Sequence, residues 1–184
     1  MRTKQLVLTA LFAALTAIGA FLKIQIPVEG IPAITLQFFF TAMAGVLLGA
    51  KYGAISQAVY VLLGLVGLPI FTMGGGFSYV LQPSFGFLVG LIPSAWVIGM
   101  LCKNAKSFWP MALGILAGLA VLYLIGTPYM GLILNLYLGK GMSMWQIVRA
   151  GCLLYLPGDV LKIVVCTALC LALRSRLPKA LAAA

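Results

Sequence analysis

Several apolar runs in this chain approach the ~20 residues that an α-helix needs to cross the hydrocarbon of a bilayer, and none shows the period-2 alternation of a barrel strand. That pattern restricts the fold more than any single motif does. With 64% hydrophobic and only 8% charged residues among 184, and a mean hydropathy of +1.17, the chain carries more apolar surface than a soluble core of this size can bury. The expectation is an all-α integral membrane protein: one domain over residues 1–184, with six transmembrane helices.

A net charge of +10 would suggest nucleic acid in a soluble protein. Here nothing forms a basic stripe with interleaved aromatics, so no nucleic-acid partner is expected. Histidine is absent, which removes the usual general base and the commonest metal ligand. Cys102, Cys152, Cys166 and Cys170 contain no CxxC pair and lie mostly in apolar runs, where a thiol behaves as a small hydrophobe; no metal site is expected. No GxxxxGK[ST] string occurs, so the chain has no means of hydrolysing ATP itself.

Taken in order, the basic start Arg2-Thr3-Lys4 and the apolar run to Phe21 resemble a signal peptide, but the run is long enough to span. Ala10 with Ala14, and Ala13 with Ala17, recur at helical spacing, which suits either close docking of another helix or ordinary internal packing. Pro27, Glu29, Gly30 and Pro32 break the helix and mark a loop over 23–33. A second span is expected from Ile34 to Ala50, a turn at Lys51 and Tyr52, and a third span to Leu68; Gly45 and Gly49 form a GxxxG inside this region. The stretch 68–86 is rich in glycine and aromatics: Gly74, Gly75 and Gly76 allow close backbone approach to a ligand or a folded-back cap, and Phe71, Phe77 and Tyr79 offer flat apolar surface. It also reads as a linker with interfacial aromatics. A fourth span runs from Phe85 to Leu101, and a fifth starts at Trp109, is interrupted near Gly126-Thr127-Pro128 and continues toward Leu138. A short interfacial helix over Met142–Cys152 precedes the sixth span, which starts at Leu156 and ends before Arg174.

Counting cations on alternate sides of these spans gives Arg2, Lys4, Lys51, Lys103, Lys106, Arg174, Arg176 and Lys179 on one side, against Lys23, Lys140 and Arg149 on the other. The positive-inside rule then places both termini in the cytoplasm. The Glu29 loop, the glycine-rich stretch and the start of the last span converge on one external mouth.

At that mouth the string Leu156-Pro157-Gly158-Asp159-Val160-Leu161-Lys162 sets an acid and a base inside an apolar span. Either charge near the centre of a membrane helix costs roughly 2.5–3.5 kcal/mol on insertion scales, so the pair is a functional-site hypothesis. Residues three apart share a helix face, and Asp159 and Lys162 can address one ligand or each other. Asp159 as an N-terminal cap paired with Lys162 is the purely structural alternative.

The run Gly64-Leu65-Val66-Gly67-Leu68-Pro69-Ile70-Phe71, with Gly74-Gly75-Gly76, Pro83-Ser84-Phe85-Gly86-Phe87 and the Asp159–Lys162 string in that order, resembles the BioY family, the biotin-binding S components of energy-coupling factor (ECF) vitamin transporters. The resemblance covers nearly the whole chain. It implies a substrate-capture subunit in the bacterial cell membrane with an outward-facing biotin site and no cofactor of its own. Its implied partners are a transmembrane T component and a pair of cytoplasmic ATPases that consume the ATP. It also implies that Asp159 and Lys162 contact the vitamin, with Lys162 on the carboxylate and Asp159 on the ureido N–H donors, or the reverse. Tyr79, Gln82, Asn135 and Gly75 follow by position, and Ala10, Ala13, Ala14 and Ala17 become the implied contact with the T component. Two other readings remain: the same scaffold with a different vitamin, and a small membrane enzyme using the Asp–Lys pair as acid and base. The second is disfavoured by the missing histidine and by the single intramembrane carboxylate.

Overall fold

The computed structural model describes residues 3–24 and 31–176. Helix α1 (Thr3–Phe21) leads into the two-residue strand β1 (Lys23–Ile24), which pairs antiparallel with β2 (Ile34–Thr35). Helices α2 (Gln37–Leu65), α3 (Phe85–Leu101), α4 (Phe108–Leu132), the short α5 (Met144–Val148) and α6 (Leu156–Arg176) follow. A 3-10 turn spans Phe77–Leu81, and π turns extend α4 over Ile133–Tyr137 and α5 over Arg149–Leu153.

Helix α2 is a hairpin rather than a rod. Gly49 sits at φ 77° and ψ 176°, a conformation open in practice only to glycine, and the chain reverses there. The pairs across the hairpin step back in register from that point: a Cβ on Gly53 would stand 2.9 Å from Gly45 Cα, Thr41 bonds to Gln57, and Gln37 bonds to Tyr60. The expected turn at Lys51 and Tyr52 is therefore corrected to Gly49, both residues being helical in the returning arm. The first arm starts at Gln37, because Ile34 and Thr35 are taken by β2, and the second ends at Leu65.

Two other boundaries shift. Helix α4 is not interrupted at Gly126-Thr127-Pro128; it runs through Pro128 and relaxes into the π turn one turn later. Helix α6 continues past Arg174. Among the described residues, four helical stretches are long and apolar enough to cross a membrane, 3–21, 37–65, 108–137 and 144–175, and α3 is a shorter apolar helix of 17 residues. The count differs from the expected six on two grounds: α3 falls short of that length, and the two arms of α2 form one stretch.

The core lies where α2, α3 and α4 pack side by side, around Tyr60, Phe71, Ile98, Met111 and Ile115, with α1 laid on α2 and α6 touching both α2 and α4. Ser94 Oγ donates to Gly118 O at 2.8 Å, crossing from α3 to α4. One end of the bundle gathers the start of α1, the Gly49 turn, the α3–α4 turn and the end of α6: Tyr52 OH donates to Gln5 Oε1, and Arg174 donates to Val46 O, Cys102 O and Ala105 O. The opposite end gathers β1, β2, the stretch 66–84, the α4–α5 connection and the start of α6.

Candidate functional site

The first turn of α6 builds the polar end of a cavity. Pro157 is tolerated at the second helical position, where its missing N–H would have had no partner in the helix anyway. One turn on, the side chain of Asp159 is only 5% exposed and that of Lys162 12%. Lys162 Nζ donates to Asp159 Oδ1 at 2.6 Å and to Thr35 O at 3.0 Å, while Tyr123 OH, from α4, donates to Asp159 Oδ2. Each buried charge thus has an opposite charge and a further hydrogen bond, the condition under which burial of ions is tolerated. Among the described residues two of the three ammonium hydrogens of Lys162 are used, and each carboxylate oxygen of Asp159 takes one donor. One donor and unfilled acceptor positions are left to a ligand.

The remaining walls come from four other elements. Pro32, Ala33 and Thr35 supply the strand side, Gln37 and Phe38 the first arm of α2, Phe87, Leu88 and Leu91 helix α3, and Leu122 with Tyr123 helix α4. Tyr155 closes the junction before α6, its hydroxyl donating to Pro32 O. A second polar group lies on the loop that follows α2: Thr72 Oγ1 and Tyr79 OH are 2.8 Å apart, and Ser84 Oγ donates to Tyr79 OH at 3.1 Å. Tyr79 is buried and packs against Phe71, the rings tilted by 55° with centroids 4.7 Å apart. Lys23, in β1, donates to Thr72 O and ties this loop to the β1–β2 pair. Including its open mouth, the empty space between these walls is about 650 Å³.

Of the residues expected from sequence, Asp159, Lys162 and Tyr79 line this cavity, and Gln82, Asn135 and Gly75 do not. Asn135 clasps its own connection, donating to Met142 O at 2.9 Å and accepting from Met142 N at 2.7 Å. The main chain of Gln82 closes the 3-10 turn through a bond from its N–H to Tyr79 O. Gly75 serves a close approach, but to protein: a Cβ there would stand 2.0 Å from Leu68 O, so glycine lets the loop fold back on the end of α2. Glu29 lies outside the described residues. The alanines of α1 divide by face. Ala10 and Ala14 are exposed, Ala17 is half-buried, and Ala13 is buried in the chain's own core, which corrects its reading as part of a free docking surface.

Tyr123, Tyr155, Thr35 and Gln37 were not legible as site residues. Tyr123 stands 36 positions before Asp159 in an apolar run, and its hydroxyl was the sole local signal. Gln37 is buried with its amide donating to Tyr60 OH, which donates in turn to Ile70 O. A buried amide at the start of a span is the kind of signal that marks a polar wall.

The BioY family model matches residues 1–179 of this chain. A probable biotin transporter BioY of Lysinibacillus sphaericus is 44% identical over 151 residues, covering 81% of this chain and 76% of that protein. The biotin transporter BioY of Thermotoga maritima is 36% identical over 173 residues, covering 93% and 96%. Among solved structures, the crystal structure of the S-component for biotin from an ECF-type ABC transporter superposes with a TM-score of 0.81 at 28% identity, covering 95% of this chain and 92% of that one. The chain belongs to the BioY family.

Proposed function

We propose that this member of the BioY family captures biotin as the S component of an ECF-type transporter in the bacterial cell membrane. The observation that carries the reading is the buried Asp159–Lys162–Tyr123 cluster at one end of an otherwise apolar cavity. Biotin matches it chemically. Its bicycle and valeryl chain suit Phe38, Phe87, Leu88, Leu91 and Leu122, and its cyclic urea offers N–H donors beside a carbonyl acceptor. Asp159 and Lys162 are 2.6 Å apart, so a group that reaches one also meets the other. A ligand carboxylate placed on Lys162 would lie against the Asp159 carboxylate, and like charges in a desolvated site repel. The urea satisfies both, with its N–H groups on Asp159 and its carbonyl on Lys162. This choice replaces the carboxylate-on-Lys162 expectation, and Tyr79 remains as the hydroxyl of the loop wall.

In this reading residues 1–184 form one domain that crosses the membrane six times, the arms of α2 counting as two crossings. The arms are about 18 and 24 Å of helix at 1.5 Å per residue, joined at Gly49. Lys4, Lys51, Lys103, Lys106 and Arg174 belong to one end, which the positive-inside rule assigns to the cytoplasm together with both termini. There the chain meets a T component and a pair of ATPases, with Ala10 and Ala14 on the free face of α1. The protein itself is not an enzyme and needs no cofactor, ATP being consumed by its partners.

Calorimetric titration of biotin into the purified chain, with thiamine and riboflavin as controls and no partner subunits, tests capture. Saturable binding of biotin alone is expected, and failure to bind any of the three overturns the ligand assignment. Biotin methyl ester tests its orientation: the loss of affinity caused by Lys162→Ala is expected to persist with the ester, and its disappearance would put the carboxylate on Lys162.

A further inference from the structure

Helix lengths single out one part of the molecule that the transport reading leaves unused. The stretches 108–137 and 144–175 contain 30 and 32 residues, the second broken by a turn at Leu154 and Tyr155, and the first alone is roughly 45 Å long against about 30 Å of hydrocarbon. Their far ends are level, because Arg174 bonds to Cys102 O and Ala105 O just before α4 begins. The excess therefore emerges at the cavity end, as the hairpin made by the π turn of α4, its connection and α5.

This hairpin has a small core of its own, Met130, Leu134, Ile147 and Ala150, and two closures, the Asn135–Met142 clasp and a capping box in which Ser143 and Gln146 bond reciprocally. Its outside is apolar all the same: Leu136 is 80% exposed, Met144 73%, Trp145 65% and Tyr137 59%. Exposed Arg149 stands four residues from Trp145, so the two share a face of the α5 turn. Neither acidic residue of the chain lies in this hairpin, which leaves it net positive. Aromatic rings with an apolar body and a polar tip, beside an arginine, suit the boundary between headgroups and acyl chains.

The geometry points to the hairpin over 133–149 as an interfacial anchor, seated on anionic lipid headgroups and holding the mouth of the cavity at the membrane surface. Trp145 and Tyr137 lie at the acyl boundary, and Arg149 faces phosphate. The inference rests on the membrane-spanning part of the proposed function and is independent of the ligand.

The test places two single-tryptophan proteins in phosphatidylcholine vesicles with or without phosphatidylglycerol, the lipids spin-labelled either near the headgroup or near the chain terminus. One keeps Trp145 (Trp96→Phe, Trp109→Phe), and the other keeps Trp96 on the lipid-exposed side of α3 (Trp109→Phe, Trp145→Phe). Trp145 is expected to be quenched at least about twofold more strongly by the shallow label than by the deep one. Arg149→Gln is expected to remove the gain in shallow quenching that phosphatidylglycerol brings. Water-like emission from Trp145 with neither label quenching it overturns the anchor, as does blue-shifted emission with no quenching, which would mean that protein covers the site. Deeper quenching than shallow also overturns it. Trp96 separates the two readings: if neither label quenches it, the membrane-spanning reading itself fails.

Discussion

Helix α6 carries a partly buried cation at each end, and the two ends use it differently. Arg174 gives Nη1 to Cys102 O at 2.8 Å and Ala105 O at 3.1 Å, and Nη2 to Val46 O. These carbonyls sit at or just beyond the last turns of α3 and of the first arm of α2, where helix ends leave acceptors without partners and the dipole favours positive charge. A planar guanidinium with five fixed donors thus caps two helices from a third. Lys162, twelve residues earlier, gives one hydrogen to a carbonyl, that of Thr35, and shares another with Asp159. The Arg174 end closes on main chain through short turns; the Lys162 end stays open around side chains. A cation spent on backbone carbonyls holds helices together, whereas one balanced by a side-chain carboxylate keeps a donor for a guest.

The largest effects should come from breaking the balance at the Lys162 end. Asp159→Ala leaves the Lys162 ammonium buried without its counter-charge, a change that typically costs about 3–5 kcal/mol. We expect biotin binding to fall by more than about a hundredfold in titration, since one acceptor group and the orientation of Lys162 are lost together. Asp159→Asn keeps the shape of the side chain and its contact with Tyr123, so it should bind as poorly while unfolding later on heating. Equal affinity of Asp159→Asn and the parent would remove the carboxylate from the site.

Arg174→Ala should show the reverse signature. Three carbonyls lose a charged donor, and thermal unfolding in detergent should report a loss of roughly 2–4 kcal/mol. Biotin affinity of the folded fraction should stay within about threefold, because α6 is anchored on the far side of the core from the cavity. Arg174→Lys should recover only part of the stability, having no planar fork to span the three acceptors. A variant that unfolds normally but loses biotin would mean that the two ends are coupled.

How much of this was readable from the chain depends on distance along it. The Asp159–Lys162 pair is local, fixed by helical spacing, and the fold does bring the two side chains together. Among the described residues the cations also divide between two ends. What failed is what requires knowing which face of an apolar helix turns inward. In lipid both faces are apolar, so the polar–apolar periodicity that marks the core side of a soluble helix is absent. Ala10 and Ala13 therefore looked equivalent though one is exposed and the other buried, and Tyr123 gave no sign that it reaches Asp159. Gly45 and Gly49 looked like one packing motif. In the fold Gly45 allows the contact, a Cβ there standing 2.7 Å from Ala95 O, while Gly49 supplies the reversal.

Tyr123 offers a finer cut within the cavity end. Tyr123→Phe deletes one donor to Asp159 Oδ2 and keeps the ring against Phe87, whose centroid lies 6.4 Å away. With Lys162 still in place the carboxylate remains compensated, so the expected loss is about 1–2 kcal/mol, or roughly five- to thirtyfold in biotin affinity. Unchanged affinity would assign the hydroxyl to holding the empty site alone.

The smallest effects should separate the lining of the cavity from its surroundings. Among the described residues Asn135 makes two hydrogen bonds, both to Met142, within the connection between α4 and α5. Asn135→Ala should therefore lower the unfolding temperature slightly, by the equivalent of about 1 kcal/mol, and leave the biotin titration unchanged. Gln82 is half-buried, and its main chain rather than its side chain closes the 3-10 turn, so Gln82→Ala should alter neither reading measurably. If either substitution weakened biotin by an order of magnitude while the protein stayed folded, the ligand would extend beyond the sixteen described residues that line the cavity, and the loop over 77–82 or the α4–α5 hairpin would have to close onto it. The contrast between an end closed on backbone and an end held open by side chains would then describe the empty protein only.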